Sequence, residues 1–343
     1  MTDKFPFTSQ RRQQFLSEEQ YKSELNFLNE VITAQRENLL KPEGSDRGWH
    51  GRLLQGIAGD LYANFSLRYT AGEPISILRS ELEEVIAAYE HYSEYLWKRT
   101  DDRNTPVFDF DFLDEYCELT QLIGLCFLLH RRDLLPRIAA LQDGVEGKGN
   151  GGCDTLYEEL MAFGIGPETR FETDLLCQAR PYENLFYALT EPEQPAQLKE
   201  LDLFLKHWYK DLEGVGWHDT HKTDEDGNPG GGYYGYWSFE AGAAVLLLGI
   251  EDDSSLHKYL YYPKDMVAWA RAHASLGTSA GQQQSMSSVP GGQPCPQAGW
   301  WHTPAKTGSR RYFKAGEVMP VIEGSAYGET FWLWDANQEA PKL

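Results

Sequence analysis

The sequence predicts a mainly α-helical protein in which a multi-helix body is followed by a small β-rich module at the C-terminus. Over much of the 343 residues, apolar side chains recur every three or four positions, which is the period of an amphipathic helix. From residue 295 onward, short aromatic runs alternate with Gly and Pro instead, which indicates brief strands joined by turns.

The first 150 residues contain four strongly patterned segments, and each predicts a helix. Helical spacing runs from Ser17 to Leu40 and again from about Trp49 to Tyr69, in both cases ending before Gly and Pro residues. A third helix has an apolar face from Leu78 to Leu96 and an acidic opposite face. The fourth, 109–129, opens with Asp109 or Asp111 as its N-cap and becomes almost wholly apolar, as a buried central helix would.

The Gly-rich stretch 144–152 lacks apolar periodicity and predicts a boundary between two helical halves, 1–150 and 151–275. Beyond it, helical spacing returns, and the apolar run 241–250 predicts another buried helix; the shorter helical segments are 154–163, 174–178, 182–189 and 197–212. The two halves share a layout in which an aromatic and acidic segment leads into an apolar helix. A degenerate duplication would produce this layout, and so would two unrelated buried hairpins.

Residues 276–294 are rich in Ser, Gly and Gln and predict a linker to the terminal module, 295–343. Within the module, strands are expected at 300–302, 310–314 and 330–334. Five basic and five acidic side chains make residues 290–343 neutral, so the helical body carries the whole net charge of −21.

This acidity disfavours direct contact with nucleic acid, because a phosphate backbone would be repelled, and it favours a protein partner with a basic surface. Solubility is the alternative reason for such a charge. No apolar run approaches the roughly 20 residues of a membrane span, and no secretory signal begins the chain, so a cytoplasmic protein without membrane contact is expected. The five widely spaced cysteines are expected to be reduced and mostly buried.

Two groups of residues could carry chemistry. The nearest approach to a metal cluster is formed by His207, His218 and His221 with Asp211 and Asp219. Their spacing is loose and no HExxH motif accompanies them, so no metal or other cofactor is expected. Glu240 lies within an apolar helix and is interpreted as a structural side chain that ties the preceding Gly-rich loop through backbone N–H groups and tyrosine hydroxyls. The alternative is a catalytic acid with a raised pKa.

Two motifs resemble a known family. The segment Tyr-Gly-Tyr-Trp-Ser-Phe-Glu-Ala at 234–241, with Tyr-Pro-Lys-Asp at 262–265, is similar to PoNi-like immunity proteins, which neutralise PoNe-type DNase toxins; this likeness spans about 230–271. The terminal module resembles the tail of immunity protein families 71 and 72. The motif residues are Tyr234, Tyr236, Trp237, Glu240, Trp301, Arg310, Arg311 and Trp334. The pair Arg310 and Arg311 is expected to bridge the neutral module to the acidic body.

The resemblance implies a non-catalytic immunity protein that binds and neutralises a cognate secreted toxin of a type VI or other polymorphic system. Acidic helix faces would meet the toxin's basic surface. The residues expected there are Glu81, Glu83, Glu84, Asp109, Asp111, Asp114, Asp211 and Glu213. The alternatives are a hydrolase that uses His218, His221 or Glu240, a glycoside-active enzyme with paired carboxylates, and a scaffold or adaptor protein. The module could cap the helical body or grip the toxin.

Overall fold

The computed structural model describes residues 6–42, 48–145, 149–223, 231–277, 288–295, 298–303, 306, 309–322 and 330–334. The chain divides into two compact units, Met1–His273 and Ala274–Leu343. The first is helical and the second contains a small antiparallel sheet, so the mainly α class with a small C-terminal β module is confirmed.

The helices of the first unit are α1 (Phe7–Gln10), α2 (Glu18–Leu39), α3 (Trp49–Ala71), α4 (Ile75–Thr100), α5 (Leu113–Leu128), α6 (Leu135–Gln142), α7 (Thr155–Ile165), α8 (Ala179–Thr190), α9 (Gln194–Asp211), α10 (Phe239–Leu247) and α11 (Lys264–Ala272). Helix α3 packs between α2 and α4, α8 pairs with α9, and α5 packs against α10. Helix α2 begins with a capping box, in which Ser17 and Gln20 each bond the other's backbone N–H, at 3.1 and 3.0 Å.

Helix α5 lies at the centre of the unit, and it is buried on nearly every side from Tyr116 to Leu128. It approaches α10 closely at Gly124, where a Cβ atom would lie 2.8 Å from backbone atoms of Phe239 and Glu240. Neither aspartate proposed as its N-cap has that role. Phe112 occupies the position without a side-chain cap, while the Asp109 carboxylate accepts the N–H of Asp111 in the preceding turn.

One hydrophobic core runs through α2 to α11, across the Gly-rich stretch that suggested a boundary at residue 150. Polar contacts also join the two sides of that stretch. The Arg170 guanidinium, only 4% exposed, bonds Asp143 at 2.7 Å before it and Glu158 at 2.8 Å after it. The stretch therefore connects two parts of one compact unit, because a single core contains residues from both sides of it.

The helix expected at 174–178 is wrong, since α8 begins only at Ala179. The backbone here bonds the start of α7 instead of itself. The N–H of Thr155 donates to the Leu175 carbonyl at 2.7 Å, and the N–H of Cys177 donates to Asp154 at 2.8 Å. Helical spacing over five residues is too short to outweigh such tertiary bonds.

The second unit contains β1 (Ser288–Pro290), β2 (Gly299–His302), β3 (Arg311–Phe313) and β4 (Phe331–Trp334), in the spatial order β1-β4-β2-β3. All pairs are antiparallel. The unit has its own small core, to which Trp301, Phe313 and Trp332 contribute. Strand β1 lies within the segment 276–294 that composition suggested as a linker, because its backbone pairs with β4.

All five cysteines are free; Cys153 and Cys177 are partly exposed and the other three are buried. In the described part of the chain, no helix combines the length and apolarity that crossing a bilayer requires.

Candidate binding surface and aromatic pocket

The aromatic segment before α10 is held by two buried polar side chains from distant parts of the chain. The Gln13 amide donates to the Tyr236 carbonyl at 2.6 Å and accepts the Tyr236 N–H at 2.9 Å. The Thr70 hydroxyl donates to the Tyr234 carbonyl at 2.7 Å and accepts the Trp237 indole N–H at 2.8 Å. Gly235 between them has φ of 107°, and a Cβ there would collide with the Thr70 hydroxyl. These bonds hold residues 233–237 against α3 and the segment before α2, and we call these residues the strap.

Glu240, in the first turn of α10, is fully buried. Its Oε1 accepts bonds from the Trp208 indole at 2.7 Å and the Ser238 hydroxyl at 3.0 Å, while Oε2 has no partner among the described residues. These partners correct the expectation of backbone N–H groups and tyrosine hydroxyls. Burial raises the pKa of Glu240 to about 7, because the lost hydration of the charged form outweighs the hydrogen bonds from its own backbone N–H, Trp208 and Ser238.

Acidic side chains cluster around the N-terminus of α5. Asp109, Asp111 and Asp114 are all exposed there, and the Phe112 ring beside them is 61% exposed. Asp114 accepts the backbone N–H of Gly216 at 2.7 Å, which joins this end of α5 to the turns after α9. The result is an acidic surface with an exposed aromatic ring.

The end of α9 and the turn after it contribute two more of the predicted acids. Glu213 is exposed, whereas Asp211 is mostly covered and lies 3.3 Å from the Arg180 guanidinium. We call Asp109, Asp111, Phe112, Asp114 and Glu213 the α5 acidic surface.

The three glutamates of α4 have a different environment, because each is bonded to arginine. Glu81 pairs with Arg68, Glu84 with Arg36 at 2.8 Å, and Glu83 with both Arg131 at 3.1 Å and Arg137 at 3.2 Å. Periodicity placed all three on the polar face of the helix, which is where they lie. Periodicity could not show that arginines from other elements form ion pairs with all three carboxylates.

The histidines that suggested a metal or a hydrolase have other partners. His218 bonds the Tyr209 carbonyl at 3.0 Å, and His221 bonds the Tyr236 hydroxyl at 2.7 Å, while His207 is exposed. Burial lowers the pKa of His221. Within the described ranges, no three His, Cys, Asp or Glu side chains converge on a metal position.

A pocket of about 180 Å³ lies beside α5, and no pattern in the sequence predicted it. Aromatic side chains form much of its wall, and Asp114, Glu118 and Gln121 line it from α5. The signal was available in the spacing of these three residues, since i, i+4 and i+7 lie on one helix face. This helix face borders a pocket because residues of the strap at 233–237 form part of the pocket wall.

The motif residues of the terminal module have their described contacts inside the module. Trp301 is fully buried and pairs with Trp334 in the β2–β4 ladder. Arg310 lies over the Trp300 ring, with 4.4 Å between guanidinium carbon and ring centroid, and Arg311 pairs with Glu317 at 2.5 Å. Both contacts join residues of the terminal module.

The fold resembles the crystal structure of protein PA2201 from Pseudomonas aeruginosa, with a TM-score of 0.57 and 20% identity over 77% of this chain and 92% of that one. No curated protein matches the chain.

Residues 152–266 match the model of the C-terminal region of PoNe immunity proteins, called PoNi. The matched segment begins well before the motif at 230–271, and it contains α7 to α10 with the strap before α10. It does not reach the terminal module, so the likeness to immunity families 71 and 72 is not confirmed. From α7 through the start of α11, the chain therefore resembles the C-terminal region of PoNi-like immunity proteins.

Proposed function

We propose that this protein binds the toxic domain of a PoNe-type nuclease and blocks it, protecting the cell that produces the toxin. The match to PoNe immunity proteins over residues 152–266 carries the proposal. The high negative charge supports it, because a nuclease needs basic surface to hold phosphate, and an acidic protein can occupy that surface. Delivery by a type VI or another polymorphic-toxin system is part of the same proposal.

The α5 acidic surface is the proposed contact with the toxin. Its carboxylates would steer the encounter, and the exposed Phe112 ring would add apolar contact that charge alone does not provide. Glu81, Glu83, Glu84 and Asp211 would contribute less to the encounter, since arginines already pair with them. The difference in arginine pairing supports this ranking of the eight acids.

The proposal is tested by reversing two charges of the surface, Asp111→Lys with Glu213→Lys, in the full-length protein. Both side chains are exposed, so folding should be unaffected. Against the purified, catalytically inactivated nuclease domain of the cognate toxin, we expect the association rate at low salt to fall about tenfold or more, with a weaker salt dependence. Surface plasmon resonance at low and near-physiological salt concentrations measures both quantities.

The matched control is Glu37→Lys with Glu94→Lys, which changes the net charge equally at exposed positions of α2 and α4. A similar fall in both double variants would mean that only net charge matters and would remove the α5 acidic surface from the proposal. Co-expression with the active toxin tests the function itself: a wild-type protein that neither binds the toxin nor rescues growth would overturn it.

A further inference from the structure

The pocket beside α5 has aromatic walls around a small polar face. Tyr62 comes from α3, Trp217 from the turns after α9, and Trp237 and Phe239 from the strap and the start of α10. At about 180 Å³ the pocket is far larger than the ~15 Å³ that one water molecule needs, so it has room for a side chain. Asp114, which is exposed, marks where the pocket meets solvent.

The polar face of the pocket is incompletely bonded. Gln121 donates to the Trp237 carbonyl at 3.0 Å and accepts the Tyr62 hydroxyl, and Asp114 accepts the Gly216 N–H. Glu118 differs, because its Oε1 atom is shielded from solvent and has no hydrogen-bond partner among the described residues. A shielded acceptor without a donor costs free energy that an incoming donor would recover.

The charge of the pocket is also uncompensated. Its described lining contains two carboxylates, Asp114 and Glu118, and no Lys, Arg or His side chain. Burial raises the pKa of Glu118 to about 7, so near neutral pH the group is divided between its charged and neutral forms. A cation in the pocket would stabilise the charged form.

We propose that this pocket receives an arginine side chain of the partner protein, whose guanidinium hydrogen-bonds Glu118 and Asp114 and lies against the aromatic rings. A guanidinium fits better than an ammonium ion, because it is planar, weakly hydrated and stacks on aromatic faces. A metal ion fits less well, since the described residues bring no three ligands together here. The assignment of the arginine to the toxin rests on the proposed function.

The first test is Glu118→Gln, which keeps the size of the side chain and removes its charge. Folding should survive, because the change removes a carboxylate that is costly to bury. We expect the Kd for the inactivated toxin domain to rise about tenfold or more, since a buried charge pair loses one partner. Glu94→Gln, at an exposed position of α4, is the control and should leave the Kd unchanged.

The second readout is pH dependence, which a merely structural role would not produce. Arginine binding requires ionised Glu118, so lowering the pH from about 8 to about 6 should raise the wild-type Kd about tenfold beyond any change in the E118Q variant. The other titratable groups that line the pocket are Asp114 and the tyrosines Tyr62 and Tyr234, and these are common to both proteins. An identical pH dependence of wild type and variant would contradict the proposal.

A small probe tests the pocket without the toxin. Titration with propylguanidinium chloride, against NaCl at equal ionic strength, should saturably shift the indole NMR signals of Trp217 and Trp237 in the wild type and much less in E118Q. No saturable shift in the wild type, or equal shifts in both, would overturn the cation site. A wild type that binds the probe but not the toxin would overturn the toxin assignment and the proposed function, while toxin binding unaffected by E118Q would overturn the arginine pocket alone.

Discussion

At the residue scale, the unusual feature is a pair of carboxyl groups that each have one shielded oxygen, one near the start of α10 and one on α5. Glu240 and Glu118 each keep one oxygen without a partner among the described residues, and burial raises the pKa of both to about 7. The other oxygen of Glu240 accepts bonds from Trp208 and Ser238. The bond from the Trp208 indole links α9 to α10, which is consistent with the structural role expected of Glu240.

The pKa of Glu240 predicts a pH-dependent stability. A carboxyl group whose pKa is higher in the folded state holds its proton more tightly there, so its contribution is present below the unfolded value near 4.5 and is lost as the pH rises through 7. Between about pH 5.5 and about pH 8, this loss should be about 2 kcal/mol of unfolding free energy. Glu240→Gln should remove that part of the decline, because it keeps an acceptor for Trp208 without a titratable group.

Urea denaturation of wild type, E240Q and the exposed control Glu94→Gln at both pH values measures this effect. The prediction fails if E240Q declines with pH as steeply as the wild type does.

At the element scale, the central contact is the packing of α5 on α10. These are the two apolar helices of the similarly arranged stretches in the two halves, and they meet face to face. Close approach depends on small residues, since at Gly124 the neighbouring atoms belong to the α10 backbone and cannot rotate away. At Gly242, the nearest atoms belong to Pro263 and Val267.

Gly124→Ala should therefore destabilise the protein by about 1–3 kcal/mol, because the added methyl group collides with backbone at 2.8 Å and forces the helices apart. Gly59→Ala is the matched control on α3, where nothing lies within 4 Å of the added atom. It should instead stabilise by about 0.5–1 kcal/mol through the lower entropy of the unfolded chain. Urea unfolding measures the change in unfolding free energy of both variants. Equal changes would contradict the close contact of α5 with α10.

At the whole-molecule scale, the chain consists of two units with separate cores. The first contains every acid proposed to meet the toxin, and it carries all of the net charge. The second is neutral and has its own buried Trp301, Phe313 and Trp332. Separate cores favour independent folding, because each unit buries its own apolar side chains.

A truncated protein, residues 1–273, should therefore keep its helical circular dichroism and unfold cooperatively. With the charged surfaces intact, it should also retain most of its affinity for the toxin domain. Loss of cooperative unfolding would show that the terminal module caps the helical body, whereas loss of binding by a folded truncation would show that the module grips the toxin.

Much of this architecture follows from the sequence alone, because apolar periodicity states which face of a segment is buried. The sequence alone determined the long helices α2 to α5, the strands β2 to β4, the acidity of the helical body and the PoNi-like motif before α10. Periodicity does not show which element a helix face packs against. In short segments such as 174–178, tertiary hydrogen bonds determine the backbone conformation. Only the folded chain showed that arginines pair with Glu81, Glu83 and Glu84 while Asp111 and Glu213 stay exposed. Likewise, the sequence shows Glu118 only as one more acid on α5. In the folded chain, α3 and the strap at 233–237 form a pocket with it and its Oε1 atom is shielded, since burial is a property of the packed elements together.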